Sequence, residues 1–237
     1  MYDERMQPSA WSNLSSTTTL TEQRAAVIKQ TYLLFGLAVF GALAGGYIGA
    51  TSETLARFFS GWLGWIAAIL LLNLVPRIAI AVRDNHQLGV AALVFDGFIS
   101  GIALSPLLWV ARSMAPSLIF AALFITAFVF VGVTLYVMSA RRTFSAPRGL
   151  MTGLFFSVIG AIILNSFLHV GFVGILISVG IGALGVFTLV YSTSGVLRSQ
   201  YADSAIPGAL MLFAGVFNIF VATLNILLRV LGGGRRS

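Results

Sequence analysis

An all-α, polytopic membrane fold with seven transmembrane helices is what this sequence predicts, on three observations. Hydrophobic residues make up 58% of the chain and charged residues only 9%. A soluble domain carries about 25% charged residues, so this chain lacks the charge to cover a water-facing surface. The apolar residues run in continuous stretches close to the roughly 20 residues a helix needs to cross the hydrocarbon core. Finally, arginines such as Arg141, Arg142, Arg148, Arg235 and Arg236 collect just outside those stretches, where topology determinants belong. The net charge of +7 therefore reads as topogenic. A basic face interleaved with stacking aromatics, the footprint of nucleic-acid binding, does not occur.

Residues 1–26 (MYDERMQPSAWSNLSSTTTLTEQRAA) are polar and lack the apolar core of a signal peptide. They are expected to form a disordered tail as far as Glu22, then an amphipathic lead-in. A single transmembrane domain, 27–232, follows, with a short basic tail at 233–237. Spans are expected at 30–50, 60–82, 88–110, 117–139, 150–168, 171–191 and 206–230. The first carries Gly41, Gly45 and Gly49, a doubled GxxxG that lets another backbone approach closely. The second has Pro76 and Arg77 near its end. The third combines Asp96 with Gly97, Gly101 and Ser105, again at GxxxG spacing. The fourth stops before Arg141 and Arg142, and only a tight turn around His169 and Gly171 separates the fifth from the sixth. The seventh bears a stripe of Gly208, Met211, Gly215, Asn218, Ala222 and Asn225 at alternating steps of three and four. A small, amide-bearing stripe on an apolar helix implies neighbours all round, which places the last helix, and the third, near the bundle centre.

Orientation follows from the basic residues of the loops. With the N-terminus in the cytoplasm, the inner side holds Arg5, Arg24, Lys29, Arg83, Arg141, Arg142, Arg148 and Arg198. The outer side holds Arg57, Arg112, Arg229, Arg235 and Arg236, so eight stand against five. That favours a cytoplasmic N-terminus, while the basic C-terminal tail pulls the other way and leaves its own side open.

Asp96 is the first candidate for chemistry, because a carboxylate at bilayer depth costs about 2.5–3.5 kcal/mol and defaults to a functional role. It could handle protons or cations, with Ser100 one turn on and able to hydrogen-bond it. It could equally be structural, protonated or paired with an arginine that locks the bundle. Arg77 is the candidate partner, although a position so near the end of a span favours snorkelling to the interface. Asn73, Asn165, Asn218 and Asn225 read first as interhelical hydrogen-bonding groups. Asn218 and Asn225, one heptad apart, could also line a polar path.

Nothing in the sequence supports an enzyme or a cofactor. There are no cysteines, and His86 and His169 sit in separate loops without the acids or thiols a metal site needs. Ser194-Gly195 with His169 lacks an oxyanion loop, and no Walker A loop is present.

Three stretches carry a family resemblance: SGIALSPLL (Ser100 to Leu108), TLYVMSARRTF (Thr134 to Phe144) before RGLMTG, and AIPGALMLFAGVFNIFVATLNILLRVLG (Ala205 to Gly232). In this order and spacing, over residues 25–232, the chain resembles the Bax inhibitor-1 family, in its bacterial YccA-like branch. The resemblance implies a seven-helix bundle enclosing its last helix. It also implies an association with calcium leak and, in the bacterial branch, with binding and modulating a membrane-bound AAA protease. Pore-forming relatives use an acidic pair late in the sixth span and in the seventh. Here those positions are Ser192 and Gly215, and the acid that often follows the basic pair is Thr143. Asn218 matches a recurrent family asparagine.

Two functions remain from this reading. One is an inner-membrane regulator docking against a membrane protease, with the N-terminal tail as its cytoplasmic handle. The other is a pH-sensitive calcium or proton leak using Asp96 in place of the missing pair. Loss of that pair tilts the reading towards the regulator.

Overall fold

The computed structural model describes residues 9–140, 171–198 and 204–233, with Phe144, Gln200, Tyr201 and a few positions between 153 and 162; side chains are described within 22–231. The described residues form helices: α1 (Ser9–Thr51), α2 (Glu53–Ser60), α3 (Trp62–Ala81), α4 (His86–Ala103), α5 (Ser105–Met114), α6 (Ser117–Ser139), α7 (Gly171–Leu197) and α8 (Ala205–Gly233). Six of them, α1 from Glu22 onward, α3, α4, α6, α7 and α8, are long and apolar enough to cross a membrane. The expected span at 150–168 lies almost wholly outside the described residues. So do Arg141, Arg142, Thr143, Arg148, Asn165, His169, Arg235 and Arg236.

Several boundaries differ from expectation for physical reasons. The backbone of α1 is helical from Ser9, where disorder was expected as far as Glu22. The Ser/Thr run costs only a few tenths of a kcal/mol per residue relative to alanine (about 0.7 at most), and it extends a helix already nucleated in apolar sequence. The expected third span, 88–110, is split at Leu104 between α4 and α5. Pro106 has no N–H for the carbonyl of Ile102 and would crowd it; the Ser105 hydroxyl donates to that carbonyl instead. Helix α2 was not anticipated. It begins where Ser52 Oγ accepts from the Leu55 N–H at 3.3 Å and carries the exposed Glu53–Arg57 ion pair. Helix α7 runs six residues past the expected 191.

The bundle is dressed for lipid. Phe40, Phe120, Phe124 and Phe128 are each at least 70% exposed, a surface that water would not tolerate. Inside, α8 touches α1, α3, α4, α5, α6 and α7, which makes it the central helix. The two GxxxG runs meet each other along the α1–α4 seam. A methyl group on Gly41 would lie 2.5 Å from the Val94 carbonyl, and one on Gly101 would lie 2.5 Å from the Gly46 nitrogen. On Gly45 or Gly97 it would collide with the carbonyls of Phe98 and Ala38.

Candidate functional site

Asp96 sits ten residues, or about 15 Å, along α4, near the middle of a core about 30 Å thick. It is 4% exposed and Ser100 3%, on a buried stripe with Leu93, Gly97 and Gly101. Leu93 packs with Leu34 and Ala38 of α1, Ala79 of α3, and Ile206, Leu210 and Phe213 of α8. The stripe therefore faces the junction of four helices. Among the described residues no cation pairs with the Asp96 carboxyl, and the hydrogen bond open to Ser100 is not made. An ionised carboxylate there would carry its desolvation cost uncompensated.

Arg77 is not its partner. It is exposed on α3, in keeping with snorkelling. Asn73 is exposed too, and its Nδ2 donates to the Ile69 carbonyl of its own helix at 2.8 Å, so it does not bridge helices. The amides of α8 also stay apart from Asp96. Helix α8 turns Ile206, Leu210 and Phe213 towards α1 and α4. Its small stripe faces α7 instead, Gly215 against Gly185 and Ala222 against Gly182. Asn218 lies on that second stripe with Asn225, and both are half-buried. The structure gathers Asp96 with Ser100 and Asn218 with Asn225, on different faces of the bundle interior.

Ser192 and Gly215, the positions the resemblance assigns to an acidic pair, fall on the α7–α8 seam, where the two helices pack closely. Gly215 is buried, and a methyl group there would sit 3.0 Å from the Leu189 nitrogen and 3.1 Å from the Gly185 carbonyl oxygen. Reciprocally, a methyl group on Gly185 would lie 2.8 Å from the Gly215 carbonyl oxygen. Ser192, one turn beyond Leu189, is fully buried and donates to the Leu189 carbonyl at 3.2 Å. A side chain at Gly215 would therefore require α7 and α8 to part by a few tenths of an ångström.

Near the end of α7, Ser192 and Ser194, each singled out separately in the sequence, form one run of buried hydroxyls with Thr193, which was not. Ser192, Thr193 and Ser194 are all fully buried. Ser194 Oγ accepts from the Phe144 N–H at 3.0 Å, and Arg198 donates to the Ala140 carbonyl at 2.8 Å. These two bonds tie the chain beyond α6 to the end of α7. Nearby, Tyr32 of α1 lies against Thr134 of α6. The hydroxyls of Tyr32, Thr134 and Thr193 are buried without a hydrogen bond of normal geometry, an arrangement that ordered water would satisfy. Three hydroxyl residues in a row at the end of an apolar span were the available signal.

Residues 24–233 match the protein family described as inhibitor of apoptosis-promoting Bax1. The chain belongs to the Bax inhibitor-1 family. It is similar to an uncharacterised protein of Campylobacter jejuni, 30% identical over 213 residues that cover 88% of this chain and 90% of the relative. An uncharacterised protein of Neisseria meningitidis serogroup A is 27% identical over 220 residues, 91% of this chain and 96% of the relative. Bax inhibitor 1 of Rattus norvegicus is 26% identical over 142 residues, 60% of this chain and 57% of the relative. Within the Bax inhibitor-1 family this chain is an integral, multi-pass membrane protein.

Proposed function

We propose that this Bax inhibitor-1 family protein is a non-conducting regulator in the inner membrane that modulates a membrane-bound AAA protease through helix contacts, with its N-terminal segment on the cytoplasmic side. The observation that carries the reading is the α7–α8 seam. At the positions where pore-forming relatives hold a carboxylate pair, Ser192 bonds its own helix and Gly215 admits the backbone of α7. Asp96 does not rebuild the pair, because it faces the α1–α3–α4–α8 junction rather than this seam. Among the described residues, a cation there would meet one carboxyl and the Ser100 hydroxyl, short of the roughly six to eight oxygens calcium takes.

The test is degradation of a membrane substrate by the purified AAA protease in nanodiscs, with the full chain or a form lacking residues 1–20. The full chain is expected to change the degradation rate, and the truncated form to lose that effect while remaining folded. Equal rates in all three conditions would refute a regulator acting through its tail. A leak through the bundle is favoured by one observation, the buried Asp96, which has no partner among the described residues; flux measurement separates it from the regulator.

A further inference from the structure

An apolar groove of about 440 Å³ lies between α1, α5, α6 and α8. Gly46 and Ala50 form one wall, Leu108 and Ile119 another, and Phe217 and Phe220 the floor. Its lining on α1 runs from Val39 to Thr51, a length of about 18 Å at 1.5 Å per residue. That is close to one leaflet's share, about 15 Å, of the hydrocarbon core. An extended acyl chain spans one leaflet in the same way, and the lining offers it apolar contact along that length.

One end of the groove is polar. Arg112, Tyr47 and Thr51 line it there, and Tyr47 is 74% exposed, as an aromatic at the membrane interface is. One guanidinium nitrogen of Arg112 donates to the Ala50 carbonyl at 3.3 Å, near the end of α1. No carboxylate among the described residues pairs with Arg112, and a guanidinium has five N–H donors in a fork suited to phosphate. An apolar slot one leaflet deep, with an uncompensated arginine at its interfacial mouth, matches a molecule with one charged end.

We propose that this groove binds an anionic phospholipid, one acyl chain along α1 and the phosphate on Arg112. The inference is independent of the regulatory reading, since a bound lipid would serve regulator and channel alike. The test uses the full chain, delipidated in detergent and offered phosphatidylglycerol or phosphatidylcholine of identical chains, with retained lipid counted by native mass spectrometry.

Wild type is expected to hold one phosphatidylglycerol in preference to phosphatidylcholine. Arg112→Gln should lower that preference by roughly tenfold, the effect of losing a charge-assisted hydrogen bond. Gly46→Leu should abolish retention, because a side chain there enters the groove and meets only the end of Leu108, at 3.4 Å. Leu123→Trp fills the same groove from α6 and serves if Gly46→Leu does not fold. Inorganic phosphate should not displace the lipid. Equal retention of the two lipids by wild type, or unchanged preference in Arg112→Gln, would overturn the proposal and leave Arg112 as a cap on α1. Displacement by inorganic phosphate would overturn the role of the chain.

Discussion

Restoring a family acid at Gly215 tests the closed seam directly. In Gly215→Asp the new Cβ would lie 3.0 Å from the Leu189 nitrogen and 3.1 Å from the Gly185 carbonyl oxygen. Both are backbone atoms of α7, so neither can rotate away, and the two helices must part by several tenths of an ångström. Overpacking of a close interface costs about 1–3 kcal/mol, and an acid at bilayer depth adds about 2.5–3.5 kcal/mol. The sum, roughly 3.5–6.5 kcal/mol, corresponds to a fall in thermal midpoint of about 7–26 °C, at about 2–4 °C per kcal/mol for a chain of this size. Gly215→Ala isolates the steric part and should lose only about 1–2 kcal/mol. The assay is thermal unfolding in detergent, followed by tryptophan fluorescence and by monodispersity on size exclusion. Gly215→Asp melting within about 3 °C of wild type, about 0.75–1.5 kcal/mol on this scale, would refute a seam closed by backbone contact. It would mean that the position has room for a carboxylate.

Gly45→Leu on the α1–α4 seam should be more damaging still, since its side chain would run into the Phe98 carbonyl; loss of monodisperse protein is the expected result. Arg77→Gln should change stability by no more than about 0.5 kcal/mol, the range for an exposed residue with no partner among the described residues, as read from the same melts. Tyr201, in the connection between α7 and α8, is pushed up to about 12 by burial, with a smaller contribution from Tyr191. A folded-state value above the ordinary 10 means the neutral phenol favours the fold. Stability from this group is fully present below about pH 10 and is lost as pH rises through about 12. Tyr201→Phe should therefore raise the alkaline unfolding midpoint and leave stability at neutral pH nearly unchanged.

Much of the fold was legible because lipid imposes a one-dimensional rule. Apolar length set the bounds of α6 at 117–139 without error, and GxxxG spacing marked both partners of the α1–α4 seam before either was seen. The small stripe on the last helix likewise announced its central place. Local chemistry was harder to read. Pro106 lies inside a stretch of unbroken hydropathy, so its effect on Ile102 and Leu104 was outweighed by apolar length. Helix α2 is too short and too polar to register as a span, although Ser52 offered its cap.

The candidate site was legible in its residues but not in their pairing. Asp96 stood out by type, and the stripe holding Asn218 and Asn225 by spacing. Which face of α8 each neighbour takes depends on packing between distant segments, which spacing within one helix does not encode. Asp96 and the amides therefore looked like parts of one path when they face different helices. The hydroxyls of Tyr32, Thr134 and Thr193 come from three helices and carried no shared signal.

Calcium and proton flux in proteoliposomes, from about pH 5 to pH 8, tests the closed bundle most directly. Wild type and Asp96→Asn should both match empty liposomes at every pH. Acid-dependent flux in wild type that disappears in Asp96→Asn would contradict a non-conducting regulator and make Asp96 the gate of a channel.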